Sequence, residues 1–190
     1  MTEGDEEEPT PGYVCPRCGM SEADVHRMLA APNSRRNRAM LHLLYAAGLR
    51  ISEVVGLRWR DLTVRDTAAQ AAIYGNGGKT RVILLPASTW QLVQAIRGEA
   101  GADDPVFCSR QDGRLHVVSV HRMVKATVMR AGLPPEVSTH WLRHAHASHA
   151  LDRHAPISLV QATLGRASVA TTGRYLHARP GDSSAQYLGL

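Results

Sequence analysis

Apolar residues recur at helical spacing in several segments of the chain. The clearest run, 39–47, places Ala, Met and Leu three or four positions apart and ends at Gly48, a natural helix stop. Another helix is predicted to begin at Ser21, an N-cap residue followed three positions later by Asp24. The same pattern, punctuated by Gly and Pro, predicts further helices near residue 52 and over 88–97, 119–131, 139–153, 157–164 and 169–177.

The pattern changes after Trp59. Short runs rich in β-branched residues, at 62–64, 71–74 and 81–85, predict three strands. The Gly-rich segment 75–80 is suited to joining the last two strands as a hairpin. The predicted fold class is therefore α+β, a mostly helical domain with a small sheet inserted near residues 61–86.

The two ends of the chain lack this patterning. Residues 1–20 are acidic and rich in Pro and Gly, which predicts a tail or linker before a domain over 21–179, with a short tail at 180–190. Cys15 and Cys18 form a CxxC motif within the first segment. Half of a zinc site is one interpretation, but a second pair of ligands at suitable spacing is missing. We expect reduced thiols in a linker and no metal.

Composition excludes several classes of protein. With 44% hydrophobic residues among 190, the chain can form a core, and no run approaches the ~18 to 20 apolar residues that a membrane span needs. Three cysteines are too few for a disulfide scaffold and suit a reducing compartment. The expected location is the cytoplasm.

The charge is unevenly distributed. Five of the 17 acids fall in the first eight residues, so residues 9–190 carry 22 bases against 12 acids, a net charge of +10. Such a basic body is typical of proteins that bind nucleic acid. An Arg-rich proteome would give the same figures, because 20 of the 22 bases are Arg. Composition alone does not separate the two interpretations.

Two short motifs place cations where they could bind an anion. His140 and Arg143 lie three apart on a predicted helix, so both project from one face, and the Arg fork can hold an anionic oxygen. Arg50 lies between a helix stop and a helix start, and Glu53 three residues later could hold it in place or simply favour the helix dipole. Solvated polar positions are the simpler interpretation of each motif alone, and of the other histidines near 144–149.

Two further residues complete the pattern. Lys79, one of only two lysines, lies at the predicted hairpin tip, and Tyr175 lies near the end of the helical part. In order and spacing, four stretches of this chain resemble the catalytic domain of the tyrosine recombinases, the phage integrase family. They are AGLRISEVVGLRWRDL at 47–62, GNGGKTRVILLP at 75–86, STHWLRHAHASHAL at 138–151 and LGRASVATTGRYLH at 164–177, and the likeness spans about residues 21–178.

The resemblance implies roles for the cationic residues. Arg50 matches the first catalytic arginine, and Glu53 matches the acid that supports it. His140 and Arg143 match the His-x-x-Arg pair of the family. Two arginines can stabilise the charge that phosphoryl transfer places on non-bridging oxygens.

The resemblance also implies the covalent chemistry. Tyr175 matches the nucleophile that attacks a phosphodiester, forms a 3′-phosphotyrosyl link and frees a 5′-hydroxyl, with no metal or other cofactor. Lys79 matches the hairpin lysine that protonates the leaving 5′-oxygen. A Tyr hydroxyl has an ordinary pKa of about 10, so it needs a base such as His140 or a cationic pocket.

The expected partners follow from the same resemblance. Double-stranded DNA is the expected substrate, held in a homo-tetramer in which the C-terminal tail docks onto a neighbouring protomer, and a mobile-element or nucleoid setting is expected in the cytoplasm. Basic residues outside the site are candidates for contacts with the phosphate backbone: Arg58, Arg81, Arg122 and Lys125.

Two departures from the family pattern keep other functions open. Arg166 stands where the family usually has His or Trp, and only about twenty residues precede the catalytic domain, where relatives commonly carry a helical DNA-binding domain. Both features favour a catalytically impaired DNA-binding relative as the alternative. A type IB topoisomerase-like enzyme shares the chemistry, but the motif spacing argues against it.

Overall fold

The computed structural model describes residues 14–15, 17–66, 68–75, 80–109 and 113–165. Seven α-helices, one short 3-10 helix (Trp59–Asp61) and three strands follow one another within this part of the chain, and the predicted helix over 169–177 lies outside it. The elements are α1 (Glu22–Ala30), α2 (Arg35–Ala46), α3 (Ile51–Gly56), β1 (Leu62–Arg65), β2 (Ala68–Tyr74), β3 (Thr80–Leu85), α4 (Ala87–Gln94), α5 (Val117–Arg130), α6 (Thr139–Asp152) and α7 (Ile157–Leu164). The predicted α+β class with a small three-stranded sheet is confirmed.

Local capping explains where the first helices begin. In α1, the Asp24 backbone N–H donates to Ser21 Oγ at 3.1 Å and the Ser21 N–H donates to Asp24 Oδ2 at 2.9 Å, which is the predicted capping box. α3 begins at Ile51, one residue before the predicted start, because the Glu53 carboxylate accepts the Arg50 backbone N–H. This capping makes Arg50 the N-cap residue of α3.

The sheet is antiparallel with the order β1-β2-β3. Ala69, Ala71 and Ile73 of β2 face the core, and α4 packs against this strand. On β3, Ile83 and Leu85 are buried. β2 begins three residues before the predicted start, at Ala68. Alanine and glutamine have little β propensity, so the first part of this strand is set by its pairing with β1 and β3.

Helix α2 lies at the centre of the helical part. Its Met40, Leu41, Leu43 and Leu44 are fully buried, and the helix contacts α1, α3, α4 and α6. α7 packs against both α6 and β3, which brings the end of α7 beside the sheet. Within the described residues, no helix has the length and apolar character needed to cross a membrane.

The segment before α1 differs from its prediction as part of a linker. Cys15 and Cys18 are 0% and 6% exposed and belong to the main core. A tight turn buries them: the Cys15 N–H donates to Met20 O at 2.9 Å, and the Gly19 N–H donates to Cys15 O at 2.7 Å. The turn packs on α6, where the Ser148 hydroxyl donates to Cys15 Sγ at 3.0 Å. The two thiols form no disulfide, and they lie in the core and not in a linker.

Candidate active site

Arg50 lies at the corner between α2 and α3, directly beside Glu53. The Arg50 backbone N–H donates to Glu53 Oε2 at 2.8 Å, and Arg50 Nη1 donates to Glu53 Oε1 at 3.2 Å. The Glu53 side chain is 4% exposed, whereas the Arg50 side chain is 42% exposed. Glu53 therefore anchors Arg50 from the inside and leaves part of the Arg50 side chain exposed to solvent.

Arg143, on the first half of α6, points toward the same corner. It is 6% exposed, and its guanidinium donates through Nη1 to the carbonyl of Gly48 and through Nη2 to the carbonyl of Leu164. Gly48 lies two residues before Arg50, and Leu164 ends α7. A single side chain thus joins the α2–α3 corner to the end of α7.

The corner is close-packed around Gly48. Its φ is +56°, and a Cβ there would lie 2.7 Å from Leu164 Cδ2 and 3.0 Å from His146 Cδ2. Only glycine combines this backbone conformation with such a close approach. The glycine that the sequence marks as a helix stop therefore also fixes the distance between α2, α6 and α7.

Glu53 has a second cationic partner, Arg81 of β3. Arg81 Nη1 donates to Glu53 Oε1 at 2.8 Å, and Nη2 donates to Oε2 at 2.9 Å. Burial alone raises the pKa of the Glu53 carboxyl, but the hydrogen bonds from Arg81 and the Arg50 backbone, with the charges of Arg81 and Arg143, outweigh it. The pKa lies below its ordinary value, and the carboxylate is ionised at neutral pH.

Of the other predicted catalytic residues, only His140 lies within the described part of the chain. His140 lies in the first turn of α6 and is exposed, one turn before the buried Arg143. Lys79, Arg166 and Tyr175 lie outside the described residues, so their place relative to this corner stays a prediction. Within the described part of the chain, no group of three or more His, Cys, Asp or Glu side chains could hold a metal ion.

The four predicted DNA contacts do not share one environment. Arg58, Arg122 and Lys125 are exposed, and Arg58 Nη1 donates to the Asp103 carbonyl at 2.7 Å. Lys125 donates to the carbonyl of Pro135. Arg81 is different: its side chain is 12% exposed, and its guanidinium contacts Glu53 inside the domain. That position is poorly suited to the surface contact expected from the sequence.

The pairing of Arg81 with Glu53 was not predicted from the sequence, although the alternation of residues along β3 indicates it. Residues of a strand alternate between its two faces, so Arg81 shares a face with Ile83 and Leu85, both of which are buried. An arginine on the inner face needs a buried carboxylate as its partner. Glu53, the acid nearest Arg50 in the sequence, is a candidate for that carboxylate.

Comparison with known proteins shows the family of this chain. The model of the phage integrase family matches residues 19–181. The chain belongs to the phage integrase family. Among its relatives, tyrosine recombinase XerD of Shewanella oneidensis is 35% identical over 170 residues, covering 83% of this chain and 56% of that protein. Tyrosine recombinase XerC of Xanthomonas campestris pv. campestris is 36% identical over 149 residues, covering 77% of this chain and 46% of that protein.

Solved structures of recombinases share the fold. XerH site-specific recombinase bound to its difH substrate, in a pre-cleavage complex, aligns with a TM-score of 0.76 and 25% identity over 93% of this chain and 56% of that one. XerA recombinase aligns with a TM-score of 0.73 and 25% identity over 90% of this chain and 62% of that one. The chain spans about half the length of the curated relatives it matches.

Proposed function

We propose that this integrase-family chain is the catalytic domain of a site-specific DNA recombinase. It cleaves and rejoins strands through a 3′-phosphotyrosyl intermediate on Tyr175. One observation supports this most strongly: Arg143 holds the backbone of Gly48, two residues before Arg50, so the two arginines of the motif meet at one corner. Two adjacent cations on rigid elements suit a phosphodiester whose non-bridging oxygens gain charge in the transition state.

Each side chain has a proposed part in the reaction. Arg50 and Arg143 bind the non-bridging oxygens of the scissile phosphate, and Arg166 adds a third donor. His140, exposed on α6, accepts the proton of the Tyr175 hydroxyl as that oxygen attacks phosphorus. Lys79 gives a proton to the 5′-oxygen as its bond to phosphorus breaks. The phosphotyrosyl bond conserves the energy of the phosphodiester, so rejoining needs no other energy source and no metal.

The proposed partner is double-stranded DNA. Arg58, Arg122 and Lys125 are exposed and are proposed to contact its phosphate backbone. XerH, whose structure holds its difH substrate, is a relative that supports a DNA partner. We also infer that strand exchange occurs in a homo-tetramer whose protomers exchange the tail at 180–190. The proposed setting is the cytoplasm of a prokaryote, where the protein is nucleoid-associated or encoded by a mobile element.

Covalent capture tests this proposal without knowledge of the target site. The full chain is incubated with sheared genomic DNA of its source, denatured in detergent, and recovered with any DNA that stays attached. The attached DNA is sequenced and the attachment residue is mapped by peptide mass spectrometry. We expect recurrent sequences joined through Tyr175 and no capture by Tyr175→Phe.

The controls separate the competing functions. Tyr187→Phe removes the other tyrosine near the C-terminus and should leave capture unchanged. DNA binding without capture, restored by Arg166→His, would assign the chain to the catalytically impaired relatives. DNA binding without capture by either protein would contradict the recombinase proposal.

A further inference from the structure

The Arg81 side chain is held at three points inside the domain. Its Nη1 and Nη2 donate to the two oxygens of Glu53, and its Nε donates to the Thr163 carbonyl at 2.8 Å. Thr163 belongs to the last turn of α7. Arg81 therefore connects β3, the start of α3 and the end of α7.

The backbone at the end of α7 fits closely around this guanidinium. Gly165 has φ +60°, and a Cβ there would lie 3.1 Å from Arg81 Cδ and from Arg81 Nη1. The guanidinium thus lies against main chain on one side and against the Glu53 carboxylate on the other. Its position is fixed by packing as well as by charge.

The two arginines use Glu53 unequally. Arg81 makes a bidentate pair with both oxygens, the strong geometry for a guanidinium and a carboxylate, whereas the Arg50 guanidinium donates a single hydrogen bond at 3.2 Å within the described residues. Arg81 is 12% exposed and Arg50 is 42% exposed. The inner arginine balances the charge of Glu53, and the outer arginine keeps donors directed away from it.

Removal of Arg81 would reverse this division. Glu53, at 4% side-chain exposure, would lose two hydrogen-bond donors and its main counter-charge. A buried carboxylate without them is costly, so a conformation that restores the donors and the counter-charge would be strongly favoured. The Arg50 guanidinium is already in contact and would turn inward to form the bidentate pair. Its donors would then be withdrawn from any phosphate outside.

We propose that Arg81 is a positioning residue for Arg50. By neutralising Glu53, it leaves Arg50 anchored by one side-chain hydrogen bond and free to bind an anion. This inference rests on the proposed function only in that the anion bound by Arg50 is the scissile phosphate. The arrangement of Arg50 itself does not depend on DNA.

The test measures how readily Arg50 reacts with phenylglyoxal, a dicarbonyl reagent that modifies accessible guanidinium groups. Wild type, Arg81→Met, Arg81→Gln and Arg81→Lys are treated without DNA, and the modification rate of each arginine is followed by peptide mass spectrometry. In Arg81→Met and Arg81→Gln, we expect Arg50 to react several-fold more slowly than in wild type, because it is drawn into Glu53. Arg81→Lys keeps the positive charge and should recover most of the wild-type rate.

Two controls make the direction of change decisive. Arg65→Met removes an exposed arginine of β1 that contacts Gln70, and it should leave Arg50 unchanged. Arg81→Met combined with Glu53→Gln removes both buried charges and should return Arg50 to at least the wild-type rate. Partial unfolding would speed the reaction of all arginines, so it cannot imitate selective protection of Arg50.

A folded Arg81→Met or Arg81→Gln protein in which Arg50 reacts as fast as in wild type, or faster, would overturn the proposal. Because the labelling uses no DNA, failure of covalent capture by the wild type would refute the recombinase function and leave this result standing. With captured DNA at saturation, Arg81→Met should lower the rate of adduct formation roughly 10- to 100-fold, with little change in DNA affinity. An equal loss of affinity would place Arg81 among the DNA contacts instead.

Discussion

Two groups of polar side chains are centred on helix α6, one on each half. The charged cluster consists of Arg50, Glu53, Arg81 and Arg143, and it meets the first half of the helix. The neutral cluster consists of Tyr45, Ser148 and His149, and it meets the second half. Both lie within the same domain and both are hydrogen-bonded. They differ in charge and in access to solvent.

The neutral cluster is closed to solvent. Ser148 and His149 are 0% and 2% exposed, and His149 Nε2 lies 3.1 Å from the Met20 carbonyl while Nδ1 lies 3.0 Å from the Tyr45 hydroxyl. Burial raises the pKa of Tyr45 to about 12, so this hydroxyl stays protonated. Such a network ties the N-terminal turn to α2 and α6, which is a structural task.

The charged cluster is open on one side. Its carboxylate is buried between two arginines, but the Arg50 side chain reaches solvent. A buried ion pair adds little stability when its desolvation is counted. Three cations around one carboxylate leave an excess of positive charge, and that excess can act on an external anion. Under the proposed function, the charged cluster takes part in the chemistry and the neutral cluster stabilises the fold.

Gly48→Ala should cause the largest loss of stability, because Gly48 is the backbone against which the charged cluster is assembled. A left-handed conformation costs a non-glycine residue about 1–2 kcal/mol, and the contact with Leu164 Cδ2 adds an overpacking cost of similar size. We expect the free energy of unfolding to fall by about 3 kcal/mol in urea titrations.

The matched control for this change is Gly56→Ala. Gly56 ends α3, has no positive φ, and would place an added methyl group in open space, with nothing within 4 Å. The urea concentration at the midpoint of unfolding should be equal to or higher than that of the wild type. Equal losses in the two variants would show that the Gly48 corner is not specially packed.

His146 lies between the two clusters, and protonation of its imidazole should lower the stability of the fold as the pH falls. Burial, together with the charges of Arg143 and His149, lowers the pKa of His146 to about 4, against a hydrogen bond with the Tyr45 carbonyl at 2.8 Å. In the unfolded chain the pKa is near 6.5, so protons bind the unfolded state preferentially between pH 6.5 and 4. His146 therefore contributes no penalty above pH 7, and its cost grows as pH falls through this window.

The expected cost is about 2 kcal/mol at pH 5 relative to pH 7. His146→Asn keeps a donor for the Tyr45 carbonyl and does not titrate, so its stability should depend less on pH by about that amount. Urea unfolding of both proteins at pH 7, 6 and 5 measures the difference. Parallel curves would mean that the imidazole is not desolvated between the clusters.

Elements with local signals were predictable from the sequence, and the charged cluster was predictable in part. The predicted helix over 139–153 is observed as Thr139–Asp152, because the apolar period is a property of neighbouring residues. The motifs around Arg50 and Arg143 placed both in one site through family resemblance. Their geometric connection through Gly48 depends on two helices that are distant in sequence.

The contact between the neutral cluster and the N-terminal turn was not predicted, and the reason is physical. Cys15 and Cys18 lie in a segment without apolar period, and their burial depends on a turn that packs against Ser148, 133 positions from Cys15. A hydrogen bond with the Cys18 side chain lowers the pKa of the Cys15 thiol, and both thiols lie inside the core. Sequence spacing shows the CxxC motif but not the surface that covers it.

Tyr45→Phe should produce the smallest effect and separates stability from activity. The change removes the hydroxyl that contacts His149 Nδ1 at 3.0 Å and keeps the ring in the core. Loss of one partner of a buried polar atom costs about 1 kcal/mol. Tyr74→Phe, on the exposed end of β2, is the control and should leave the free energy of unfolding unchanged.

If the neutral cluster is purely structural, Tyr45→Phe captures DNA as efficiently as wild type at temperatures where both are folded. A loss of capture without a loss of stability would mean that the two clusters are coupled through α6.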